Sequence, residues 1–178
     1  MYNYNKLNEG GFAEVYLIFD FDHHAPQYNQ EKISKMVEFF NNKTENGKLY
    51  INYPMLESFK HFKEIPDNDF NSYKVSTKEC LTYKELIGKI SIIPHYNDIT
   101  EETLNIIVRQ NIKKYFHLTN TLLNNYNNYL NDFSQQKLLT HQLNNLNKED
   151  SVFVLSTSLF WRIDYFGEKY FNNIINLK

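Results

Sequence analysis

The period of hydrophobic and polar positions changes several times along the chain. Val15, Tyr16, Leu17, Ile18 and Phe19 form an unbroken apolar run rich in β-branched and aromatic side chains, and Asp20 and Asp22 close it. A short apolar run with polar ends predicts a strand covered on both faces, in the middle of a parallel sheet. From Gln30 the period becomes helical. Ile33, Met36, Val37 and Phe40 fall at i, i+3, i+4 and i+7, so an amphipathic helix is predicted over 30–42. Asn46-Gly47 is a turn signal, and 48–54 (KLYINYP) predicts a second short strand. Strand, helix and strand in this order describe a right-handed βαβ unit with parallel strands.

Pro54 suits the first turn of a helix, which is predicted to run to Phe62 with Met55, Phe59 and Phe62 on one side. Residues 65–76 read as an acidic loop. Helices are predicted near 77–90 and over 101–118, where Leu104, Ile107, Val108, Ile112 and Tyr115 repeat at helical spacing. Residues 90–93 read as a short strand or a helix end. The remainder reads as helix over 121–133, 135–147, 150–163 and 165–176, with Gly167 as a break, and residues 1–11 read as a loop. The expected fold class is therefore α/β: a small parallel sheet built from βαβ over residues 1–95, followed by a mostly helical region over 96–178. Two or three strands make a small sheet. The missing strands are expected from another chain or a longer protein, or the helices cover a minimal sheet.

Composition narrows the chemistry. The net charge is −2, and Arg109 and Arg162 are the only arginines among 178 residues, so binding to a polyanion must draw on lysines, metal or another chain. Cys80 is the only cysteine, which excludes an internal disulfide and a multi-cysteine zinc cluster. No stretch approaches the about 18 apolar residues of a membrane span, and no signal-peptide core is visible; a cytoplasmic protein without membrane contact is expected.

Asp20 and Asp22 fall at the carboxyl end of the first strand, where open α/β sheets bind ligands. Two carboxylates there repel unless a cation lies between them, and oxygen donors favour Mg²⁺ or Mn²⁺. Glu57 follows the second strand, on the same sheet edge if the strands are parallel. It is the expected third ligand, or a general base. The plainer reading is a strand end with ordinary acids and a Glu favoured by a helix dipole. His23 and His24 are ligand or proton-carrier candidates, or simply solvated loop residues. The aromatic tail, which includes Phe153, Phe160, Trp161, Tyr165, Phe166, Tyr170 and Phe171, reads as core packing of a helical region. No GxxxxGK[ST], GxGxxG or GxSxG motif is present.

FDFDHH shares features with three families. It departs from haloacid-dehalogenase phosphatases because His24 stands where Thr or Val is needed. It departs from DHH phosphoesterases because no upstream aspartate motif and no later glycine-rich motif accompany it. The series LIFDFD, helix 30–42 and YINYPMLESFKHF resembles Toprim-type domains of RloB-type and related bacterial defence proteins, over roughly residues 12–65. Their upstream glutamate motif has no counterpart, since Glu9-Gly10 lies too close to the first strand. The resemblance implies a Mg²⁺-dependent (or Mn²⁺-dependent) nuclease acting on DNA or RNA phosphodiesters in anti-phage defence. Asp20, Asp22 and Glu57 would be metal ligands, with Asp20 and Glu57 in catalysis. The alternatives are a non-catalytic or truncated subunit whose helical tail binds a partner protein or a second copy, and a phosphatase of small substrates.

Overall fold

The computed structural model describes residues 13–93 and 95–177; the reading of 1–11 as a loop lies outside them. The first strand, β1 (Tyr16–Asp20), leads through a loop into helix α1 (Gln30–Phe39), whose Asn29 cap accepts a hydrogen bond from the Lys32 amide. Asn41–Asn42 form β2 where the helix was expected to continue. The turn then reverses at Gly47, with φ of 101°, into β3 (Gly47–Tyr53). Pairing of β1 with β3 is parallel, from Tyr16–Lys48 to Asp20–Asn52, as the βαβ reading requires.

The sheet as a whole is mixed, not parallel. β3 also pairs antiparallel with β2 at its start and with β6 (Leu155–Ser156) at its end. This corrects the expectation that Val15–Phe19 form the central strand. β3 is central, with Leu49, Tyr50, Ile51, Asn52 and Tyr53 all buried. β1 lies at the sheet edge, where Ile18 and Phe19 are 50% and 45% exposed. The edge run is the more apolar of the two, since Asn52 interrupts the other, so the neighbours each one finds decide which is covered.

Several predicted elements take another form. In place of a helix over 54–62, a 3₁₀ turn spans Leu56–Lys60 after a cis Tyr53–Pro54 bond. Within the expected loop 65–76, β4 (Lys74–Ser76) forms and pairs antiparallel with β5 (Ser151–Phe153). The predicted helix 77–90 is two, α2 (Thr77–Leu81) and α3 (Tyr83–Ile90), so residues 90–93 add no strand. α4 (Glu101–Leu118) matches its expected bounds and buries Ile107, Val108, Ile112, Tyr115 and Phe116. After α5 (Tyr126–Asp132) and α6 (Gln135–Glu149), the expected helix 150–163 opens instead as β5, β6 and a 3₁₀ turn. The last helix, α7 (Trp161–Ile175), is broken at Gly167.

The later region therefore supplies strands to both sheets, and one core cluster runs from Phe21 to Ile174. Asp164 fastens this arrangement. Its carboxylate, almost wholly buried, receives Lys48 Nζ, the Tyr50 hydroxyl and, at 2.7 Å, the Tyr129 hydroxyl. It thereby ties α7 and α5 to the central strand. Among the described residues no helix is long and apolar enough to cross a membrane.

Candidate functional site

Backbone pairing carries the acids to the carboxyl edge of the sheet. It continues one residue past β1, with the Phe21 amide donating to the Asn52 carbonyl at 2.9 Å. Phe21 is 1% exposed and anchors this strand end in the core. By the two-residue alternation of extended chain, Asp20 and Asp22 flank it on the opposite side, and both are exposed. Glu57, in the first turn of the 3₁₀ segment after β3, belongs to the same edge and lies 3.5 Å from Lys84 Nζ.

Asp20 lies within electrostatic reach of both other acids. Burial of its carboxyl pushes the Asp20 pKa up, and the charges of Glu57 and Asp22 add to this. The Asn52 amide and the Leu56 N–H work in the opposite direction. As a residue Asp20 is exposed, so this burial belongs to the inner side of its carboxyl, toward Asn52 and Leu56. Asn52 is fully buried. Its Oδ1 accepts from Ser156 Oγ at 3.0 Å and from the Ser158 amide at 3.2 Å, which leaves its Nδ2 turned toward the Asp20 carboxyl.

On the α1 side of this edge lies a cavity of about 330 Å³, lined by Phe19, Asp20, Asp22, Tyr28, Lys32 and Met36 among others. Its size falls within the about 300–1,000 Å³ range of small-molecule sites. The Tyr28 hydroxyl is buried without a partner.

A second, smaller cleft of about 90 Å³ opens on the other side, lined by Asp20, Asp22, His23, His24, Pro54, Met55 and Cys80. Here one donor atom each from His23, His24 and Cys80 lies within 4.8 Å of the other two. Among the described residues, Asp20, Asp22 and Glu57 do not converge to this degree. Sequence reasoning named the two histidines but missed Cys80, which stands 57 residues further along, in α2; no spacing rule connects them. It also missed Asn52, whose side chain a strand pattern alone would leave as an ordinary polar position. His61 is buried with its Nδ1 2.9 Å from the Tyr83 hydroxyl and lines neither cleft.

No protein-family model, curated protein or solved structure matches this chain.

Proposed function

We propose that the chain is a divalent-metal-dependent phosphodiesterase, of nuclease type and acting in anti-phage defence, with its site at the carboxyl edge of β1 and β3. The observation that carries this reading is the parallel register. It sets Asp20 against Asn52 and leads Asp22 and Glu57 off the same edge of two neighbouring strands. The donor chemistry suits Mg²⁺ or Mn²⁺, because all three candidate ligands are carboxylates and their mutual repulsion is what a cation relieves. Asp20 and Asp22 would hold the ion, with Glu57 completing the set. When bound, such an ion stabilises charge on a scissile phosphate and activates water.

The chain's own groups have separate tasks. The Asn52 amide is a neutral donor to Asp20 and would orient that carboxylate toward the ion. Lys32, on the rim of the larger cavity, offers a charge for the same anion. The apolar wall formed by Phe19, Phe21 and Met36 accommodates the organic part of the substrate. A Toprim-like fold and a nucleic-acid substrate rest on the resemblance of LIFDFD and YINYPMLESFKHF.

A nuclease assay with Mg²⁺ or Mn²⁺, comparing wild type with Asp22→Asn, tests this reading. Cleavage that Asp22→Asn reduces at least about 100-fold supports it. Equal cleavage by both preparations marks a contaminant and overturns it.

The non-catalytic alternative draws on the last helix, where Tyr165 and Phe166 are 62% and 49% exposed. An aromatic pair left in solvent suits a partner protein. Absence of hydrolysis by wild type, together with a partner-dependent loss of solvent exposure at these residues, is its signature.

A further inference from the structure

The loop after β1 and the short helix α2 bring together three donors of a different chemical kind from the acids. His23 and His24 are adjacent, and their ring centroids lie 3.7 Å apart. The first ring also stacks on Phe21, at 5.9 Å and an interplanar angle of 27°. Both of its nitrogens are buried, and neither meets a protein hydrogen-bond partner. A buried imidazole leaving both nitrogens unpaired calls for a third party. The Cys80 thiol supplies the remaining donor, within 4.8 Å of both histidine donors.

We propose that His23, His24 and Cys80 form a zinc site. Two imidazoles and one thiol are a borderline-soft donor set, which Zn²⁺ takes and Mg²⁺ does not. Three protein ligands leave a fourth position open on the side where Asp22 lines the cleft. Bond lengths of 2.0–2.3 Å place neighbouring donors of a tetrahedral shell about 3.3–3.6 Å apart. The three donors, within 4.8 Å of one another, would draw closer on binding, with the exposed His24 and the Cys80 thiol as the groups that move. His23 stays clamped by Phe21. Ion binding forms a Zn–S bond and breaks the S–H bond of Cys80, whose proton passes to solvent.

The zinc site does not rest on the phosphodiesterase reading, since it uses none of Asp20, Asp22 and Glu57 as a required ligand. The test uses the full chain stripped with a chelator and titrated with Zn²⁺ alone. One ion per chain with release of a proton is expected, with affinity reduced at least about tenfold in Cys80→Ser and in His23→Gln. His117→Gln, in α4 and outside both clefts, leaves the affinity unchanged. Co²⁺ substitution of wild type is expected to give a thiolate-to-metal charge-transfer band. That measurement needs no variant, so it decides the matter even where a substitution unfolds the chain. No charge-transfer band in wild type, or Zn²⁺ binding unaltered by both Cys80→Ser and His23→Gln, overturns the proposal.

Discussion

Asp20 and Asn52 stand opposite each other in the parallel register of β1 and β3, and Asn52 is held from behind by Ser156 and Ser158. The acid edge is thus backed by a segment more than a hundred residues away. Because Asp20 has its pKa raised above 3.8, the folded state disfavours the ionised form. Its contribution to stability is intact below that value and declines as pH rises through the window above it. Asp20→Asn is therefore expected to raise the urea midpoint at pH 7 and to leave it unchanged near about pH 3, while abolishing any Mg²⁺-dependent cleavage. A lowered midpoint at pH 7 would show that the carboxylate is a structural group.

His61 gives a pH dependence of known sign. Burial, then the charges of Lys114 and Lys63, lowers its pKa from 6.5 to about 4. Above 6.5 both folded and unfolded chains carry it neutral, and the stability is whole. As pH falls from 6.5 toward 4, only the unfolded chain takes up the proton, and stability declines by a total of about 3 kcal/mol. Urea midpoints across this window should fall in wild type and flatten in His61→Gln.

The Asp164 carboxylate serves Lys48, Tyr50 and Tyr129 at once. Asp164→Ala leaves a lysine and two hydroxyls without their acceptor, and a loss of about 3–5 kcal/mol is expected from chemical denaturation. Asp164→Asn keeps one acceptor oxygen and should be milder. Equal losses for the two variants would mean that packing, not hydrogen bonding, holds α7 in place.

Gly47 combines a φ of 101° with close contact. A Cβ there would stand 2.6 Å from Leu17 Cδ1. Gly47→Ala must strain the turn and push the Leu17 side chain aside, at about 2 kcal/mol. Thermal melts of this variant should drop by several degrees, whereas Gly88→Ala, with open space around its Cα, should not.

Strand β1, strand β3 and helix α4 were legible because each carries its own periodicity. The rank order of the strands was not. Val15–Phe19 is more apolar than Leu49–Tyr53, and the neighbours that make β3 central include β6, a two-residue strand inside a stretch with helical composition. β4 and β5 escaped for the same reason: at three residues each, they are too short to show alternation and exist because they pair with each other. At the site, FDFDHH marked Asp20, Asp22, His23 and His24 without help. Cys80 and Asn52 could be found only in three dimensions. One comes in with a separate helix, and the other gains its significance from the serines behind it.

The hydrogen bond between Asn52 and Ser156 spans 104 residues of chain. During synthesis, β1, α1 and β3 emerge long before the strand that closes the other side of β3. Until then the central strand has an open edge, and the amide that faces Asp20 has no support. The sheet edge with its acids is therefore a late product of folding, completed only when residues 151–160 arrive. A ribosome-stalled chain ending before residue 150 should expose β3 to protease, and one that includes β6 should protect it.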